Sequence, residues 1–430
     1  MSKTLEAVAT TDELPSSASV VIIGGGIVGM SAALALAERN ISVVLLEKGH
    51  IAGEQSSRNL GWIRKTSRHA ADVPLAQAAD RLWADMPARI GRSVGYRQAG
   101  IMFLARSEEQ MSMHEAWHKS VAHLGLGSQL LTPSDIDQRV PGGQGKWVGG
   151  IHTPSDGYAE PAIATSAIAN AAMKQGAILL QHCAVRTLCV SAGKVSGVVT
   201  EKGEIRCEQV LLAGGAWSRR FLGNLGISLP TLPLICSVLR TQPMQGPTEA
   251  AVGGPDFSFR KHQDGGYIIT QRGKLDAPIT LDHLLIGRRY LSQLSAQRSF
   301  LQIGFGREFF QDLALKRRWK ASSQSPFERV RTLDPAFNPG LNQDALDNLK
   351  AAWPSFDQAR VAEAWAGLID VTPDSIPVID QVAAIPGLVL ATGFSGHGFG
   401  TGPAAGQLAA DLLSGVEPII DPSPYRFARF

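Results

Sequence analysis

Residues 19–23 (SVVII) make a short β-branched run, residues 24–29 a glycine turn, residues 30–38 a run of small apolar side chains, and residues 41–47 (ISVVLLE) a second β-rich run. Strand, turn, helix and strand in that order predict one βαβ unit. No charge occurs between Leu14 and Ala37, as in a membrane span, but the three consecutive glycines from Gly24 to Gly26 favour a strand turning into a helix.

Helical spacing returns at 161–173. Strand-like runs follow at 177–180, 185–190, 195–200 and 210–212, separated by Gly176, Gly193 and Gly203. Residues 95–105, 238–241, 257–260 and 266–271 are also strand-like but richer in aromatic and charged side chains, which predicts a second, largely antiparallel sheet. Helices are expected over 291–318 and 342–352, then a strand at 388–391 and a glycine turn with a terminal helix over 393–415.

Composition narrows the class. The chain has 430 residues, 44% hydrophobic and 18% charged, with 45 glycines, which fits a globular α/β protein and excludes a disordered or collagenous one. A net charge of +3 without long like-charge runs offers no footprint for a nucleic-acid backbone. Four cysteines (Cys183, Cys189, Cys207, Cys236), none in a C-x-x-C pair, suit neither a disulfide framework nor a zinc site, so no metal is expected and a reducing cytoplasm is the simplest home. The opening residues lack a basic segment followed by an apolar one and read as a loose leader over 1–14.

Gly24, Gly26 and Gly29 have G-x-G-x-x-G spacing between a predicted strand and helix, where glycines allow a tight turn and let a pyrophosphate approach the helix N-terminus, beside Ile27 and Val28. Glu47, followed by Lys48, ends the next strand where an acid meets an adenosine ribose and disfavours a 2′-phosphate. FAD and NAD share this fingerprint, so it leaves the choice between them open.

Five further segments occur in order: 56–61 (SSRNLG), 149–157 (GGIHTPSDG), 212–218 (LAGGAWS), 365–368 (WAGL) with 372–374 (TPD), and 393–400 (GFSGHGFG). Together they resemble the D-amino-acid oxidase, glycine oxidase and sarcosine oxidase family of FAD enzymes. The resemblance implies a Rossmann-like FAD-binding domain assembled from residues 15–90, 150–225 and 355–430, with a mainly antiparallel substrate-binding domain inserted from 91–149 and 226–354. It implies that Ser56, Ser57, Arg58, Asn59, Leu60 and Gly61 run beside the flavin. It places the adenine near Val185, and the cofactor against Gly214, Gly215, Trp217 and Gly367. Gly393, Gly396, His397, Gly398, Gly400 and Thr401 lead into a terminal helix whose dipole points at the flavin pyrimidine edge, His397 serving cofactor positioning rather than proton transfer.

The activity so implied is oxidation of the C–N bond of an amino acid or amine by hydride transfer to FAD, giving an imine that hydrolyses to an oxo product. The family's carboxylate-binding arginine position holds Ile369 here, and its basic residue at the end of the Gly-His-Gly-Phe motif is replaced, leaving Phe399 and Gly400. Replacement anchors are Arg64, Lys65, Arg260 and Arg272, and Tyr267 is a candidate to cover the substrate. Asp370, beside the lost arginine, suggests a basic or polyamine-like substrate. No cysteine stands in the loop where sarcosine oxidases attach flavin, so noncovalent FAD is expected. Oxygen or a quinone-type carrier is the expected acceptor, the second placing the enzyme at the inner membrane surface; a homo-oligomer or heteromeric partner is compatible with either. A 2-hydroxy-acid dehydrogenase, a non-catalytic FAD-binding subunit and an NAD-dependent dehydrogenase stay open as alternatives.

Overall fold

The computed structural model describes residues 5–292, 294 and 298–430. A six-stranded sheet runs in the order Val378–Gln381, Leu388–Thr392, Gln209–Leu212, Val20–Ile23, Val43–Leu46, Ile178–Leu180. Its pairs are parallel except the one between Val378–Gln381 and Leu388–Thr392. Runs such as VVII and VVLL suit strands covered on both faces, where alternation gives way to continuous apolar sequence.

The helix Ile27–Glu38 is buried from Ile27 through Ala37, and its small residues let the terminal helix Gly398–Ser414 cross it closely. A Cβ at Gly406 would stand 2.6 Å from the Ala32 nitrogen, so only glycine allows that approach. The helix Pro161–Lys174 packs beside it. Strands Val185–Ser191, Lys194–Thr200 and Glu204–Arg206 form a small antiparallel sheet.

The second sheet has ten strands and is mostly antiparallel. Its core is aromatic: Trp353, Phe356, Phe257, Phe259 and Tyr267 are fully buried beneath the helix Pro339–Ala352. The cavity described below lies where this sheet meets the first.

Several expectations shift. The strand Val361–Val371 pairs antiparallel with Leu232–Thr241 over its whole length, and Gly149–Thr153 pairs with Ile101–Ala105, so both belong to the second sheet although the sequence boundaries start the flavin segments near them. Within 291–318 the chain forms a strand, Leu301–Gly304, and a helix, Arg307–Ala314; residues 293 and 295–297 of that expected helix lie outside the described residues. The leader is not loose where it is described: Val8 is buried, Glu6 accepts two hydrogen bonds from Arg92, and Gln181 Nε2 donates to the Val8 carbonyl at 3.0 Å. The helices Val73–Ile90 and Glu108–Ser120 were not expected. Among the described residues all four cysteines are free thiols, and no helix is long and apolar enough to cross a membrane.

Candidate active site

The first strand delivers the chain into Gly24, whose φ of +113° and whose missing Cβ, 2.4 Å from the Ala213 carbonyl oxygen, admit only glycine without strain. The helix Ile27–Glu38 begins without a side chain from Gly26 to cap it. Ser56 Oγ accepts from the Ile27 amide at 2.9 Å, and the other first-turn amides, with the helix dipole, form an anion site. Gly29 serves packing instead, its missing Cβ lying 2.2 Å from the Gly24 oxygen.

Glu47 accepts from the amides of Gly25 at 2.8 Å and Gly49 at 2.7 Å, and burial raises its pKa against the lowering effect of Lys48. A carboxylate has about four acceptor sites, so capacity remains for a ribose hydroxyl. Lys48 Nζ meets Glu54 at 2.7 Å and lies 4.5 Å from the centre of the Trp217 ring, bracketing this side of the site.

A cavity of about 380 Å³ is lined by the glycine turn, Glu47 and Lys48 on one side and by the second sheet on the other. Val185, Gly214, Gly215, Trp217 and Gly367 border it, as do Gly396, His397, Gly398, Phe399 and Gly400. Ser56, Arg58, Asn59, Leu60 and Gly61 line it too. Asn59 folds that loop on itself, donating to the carbonyls of Gln55 and Ser56 and accepting from the Gly61 amide at 2.7 Å. Arg58 ties it to the second sheet through the Ala366 carbonyl at 3.1 Å and pairs with Asp334. Ser57, Gly393 and Thr401, expected as contacts, stand behind the wall: Ser57 is buried in the loop, Gly393 donates to Asp370, and Thr401 donates to the His397 carbonyl. Turn, anion site, free carboxylate lone pairs and cavity together fit a bound FAD.

The expected substrate anchors separate. Lys65 is 3% exposed and spent on Asp80 at 2.6 Å and Asp156 at 3.2 Å. Arg260 makes a two-pronged pair with Glu160, at 2.8 and 2.9 Å, and does not line the cavity. Tyr267 packs its ring against Phe356 and Phe259 and donates to the Thr248 carbonyl at 2.9 Å, away from the cavity. These three hold the fold.

Arg64 and Arg272 do line the cavity, and among the described residues neither has a carboxylate partner. Arg64 donates to the Thr66 carbonyl and to His397 Nε2, 3.0 Å away. Arg272 donates to the Gly254 carbonyl at 3.1 Å. Their guanidinium carbons lie 5.5 and 4.1 Å from the centre of one ring, that of Phe103. Burial, then Arg68 and Arg272, pull the Arg64 pKa down to about 9, and burial pulls Arg272 down to about 10. A guanidinium has donors only, so His397 Nε2 accepts and the ring is neutral; burial and the two arginines hold its pKa well below 6.5.

Asp370 accepts from Gln55 Nε2 and from the Gly393 amide, each at 3.0 Å, and burial raises its pKa. It braces the glycine turn before the terminal helix. Among the described residues facing the cavity, Arg64 and Arg272 have no carboxylate partner, while Asp370, the acid behind the expectation of a basic substrate, is held by neutral donors. Arg68, Phe103 and Gln55 were not foreseen. Arg68 is closed by Asp72 at 2.6 Å and donates to the Arg64 carbonyl at 2.7 Å. Phe103 sits inside an apolar strand run, IMFLA, where nothing distinguishes a cavity wall from a core position.

The FAD dependent oxidoreductase (DAO) family matches residues 19–412. The structure of L-amino acid deaminase from Proteus myxofaciens in complex with anthranilate is similar with a TM-score of 0.95 at 33% identity, covering 99% of this chain and 96% of that one. Glycine oxidase from Geobacillus kaustophilus is 25% identical over 95% of this chain and 96% of its own length. The mouse mitochondrial pyruvate dehydrogenase phosphatase regulatory subunit is 24% identical over 96% of this chain, which spans only 43% of that protein.

Proposed function

This chain belongs to the DAO family of FAD-dependent oxidoreductases, whose members similar to it include glycine oxidase and an L-amino acid deaminase, and we propose that it oxidises the C–N bond of a carboxylate-bearing amino acid. The observation that carries this reading is the pair Arg64 and Arg272, two guanidinium groups without carboxylate partners in the cavity that suits the flavin. Each offers a fork of donors matched to a carboxylate, and burial without a counter-ion makes the arrival of an anion favourable.

When bound, FAD supplies the acceptor for a hydride from the substrate α-carbon, so the substrate leaves as an imine after losing two electrons and a proton from nitrogen. The chain's own residues bind and orient. The forks fix the carboxylate end, and the apolar walls of Phe103, Ile369, Phe394 and Phe399 restrict the remainder and exclude water. His397 holds Arg64 by accepting from it and is no base for the reaction. Asp370 fixes the turn at Gly393 through which the terminal helix meets the cofactor. Noncovalent flavin is part of this proposal, because no cysteine stands in the 368–374 loop where sarcosine oxidases attach it. The Proteus deaminase, whose structure holds an aromatic carboxylate, supports an acid-bearing ligand.

Anaerobic mixing with pooled D-amino acids, L-amino acids, N-methyl amino acids and 2-hydroxy acids tests the reading. Bleaching of the flavin band by an amino-acid pool is the expected result. Bleaching by hydroxy acids alone would overturn it.

A further inference from the structure

The cavity carries more fixed positive charge than one carboxylate neutralises. Among the arginines and lysines around it, Arg68 is paired with Asp72, Lys48 with Glu54, Arg58 with Asp334 and Arg331 with Glu201. Asp156, the carboxylate nearest the Arg64 loop, is consumed by Lys65 and by the backbone amide and hydroxyl of Thr66. Asp370 is held by Gln55 and Gly393, and burial favours its neutral form. Arg64 and Arg272 remain, each satisfied only by carbonyls, a neutral imidazole and the face of Phe103. They stand on different elements: Arg64 follows the flavin loop and is tethered to the start of the terminal helix, whereas Arg272 follows the strand Tyr267–Thr270 of the second sheet.

Resting on the preceding reading, we infer that the substrate is an amino acid with a second acidic group, on its side chain or on its nitrogen substituent, and that each guanidinium receives one acid. One acid fixes the reacting carbon against the cofactor. The other sets specificity, because a neutral group in its place leaves a buried guanidinium without a counter-ion. The redox step is unchanged: two electrons and the α-hydrogen pass to FAD, the amine proton is released, and both acid groups are retained.

Two measurements test this on the flavin-loaded protein. In the first, anaerobic flavin reduction compares aspartate, glutamate and iminodiacetate, in each enantiomer where one exists, with asparagine, glutamine, leucine and N-methylglycine. The expected preference for the diacids is about 10- to 100-fold in kcat/KM, the worth of one charge-assisted pair. Of the variants Arg64→Gln and Arg272→Gln, one loses both classes of substrate and the other loses only the diacids. Equal reduction by neutral and acidic members, or equal loss of both classes in both variants, would overturn the diacid assignment while leaving amino-acid oxidation intact. Reduction by no amino acid would overturn the parent reading as well. The second measurement needs no variant: unreactive succinate and glutarate should perturb the flavin spectrum of the wild-type protein at concentrations at least tenfold lower than propionate and butyrate. Equal affinities would refute two acid sites.

Discussion

Arg260 is the residue at which sequence and structure disagree most consequentially, and replacing it with methionine separates a structural role from a substrate-binding one. Its guanidinium gives two bonds to Glu160, one to the Lys261 carbonyl at 2.9 Å and one to the Leu60 carbonyl. Arg260 and Glu160 are 1% and 2% exposed. Glu160 also accepts from the Gln263 amide at 3.0 Å and starts the helix Pro161–Lys174. Arg260→Met leaves Glu160 buried with no arginine or lysine paired to it, the His262 ring standing 3.4 Å away. Removing one partner of such a pair costs about 3–5 kcal/mol.

Urea unfolding followed by tryptophan fluorescence should therefore show a large loss for Arg260→Met, with at least half of it restored in the double variant Arg260→Met, Glu160→Leu, which removes the stranded charge. Substrate KM, measured on the flavin-loaded fraction, should stay within about twofold of wild type. The pH dependence has a definite sign. Burial raises the Glu160 pKa, but the charge and hydrogen bonds of Arg260 outweigh it and leave the pKa lowered, so the pair stabilises fully above the ordinary carboxylate range and fades as pH falls through the lowered value. In Arg260→Met only burial remains dominant, so protonation relieves the variant and its deficit narrows in acid. A variant with wild-type urea stability and a KM raised tenfold would refute the reasoning and return Arg260 to the substrate.

Gly24→Ala should yield protein purified with little flavin, because its Cβ would meet the Ala213 oxygen at 2.4 Å in a left-handed backbone; yellow protein of normal flavin content would contradict this. Acid precipitation should leave the flavin in the supernatant, and colour in the pellet would overturn noncovalent binding. His397→Ala should raise KM more than it lowers kcat, since it releases Arg64, and the wild-type kcat/KM profile should show no limb from His397 in the ordinary histidine range. Glu328 is held down to about 2: burial opposes this, but bonds from Arg186 and Ser325 prevail. Its stabilising contribution should thus be complete above the usual carboxylate range and vanish towards pH 2 in acid unfolding, a loss absent in Glu328→Gln.

The glycine turn and the Glu47 position that border the cavity were legible because their constraints are local. Gly24 must be glycine for its own φ, Gly26 must precede a helix, and Glu47 ends the next strand of the same βαβ unit, so spacing along the chain carries the geometry. Val361–Val371 was not legible as a strand of the second sheet. Its core pattern is interrupted by Ala366 and Gly367, where the strand passes Arg58 so closely that a Cβ at Gly367 would lie 3.1 Å from the Arg58 Cβ. Small residues there reflect contact with the flavin loop, and the alternation that marks a strand is lost to that demand.

The substrate half was illegible for a different reason. Arg64, Lys65, Arg260 and Arg272 are equivalent in sequence, since nothing in a cation's neighbours along the chain says whether an acid is buried beside it. Lys65 meets Asp80 from 15 positions away, and Arg260 meets Glu160 from 100. Those partners remove two candidates from the chemistry and commit them to stability. The other two are defined by what the fold withholds from them. A buried cation without an acid partner is unfavourable until an anion arrives, so on the proposed reading substrate charge is encoded by the absence of a pair, and absences are properties of packing. Under the proposed reading the same logic disfavours the basic substrate suggested by Asp370: burial raises the pKa of its carboxyl, and two guanidinium groups without a carboxylate partner repel an incoming cation.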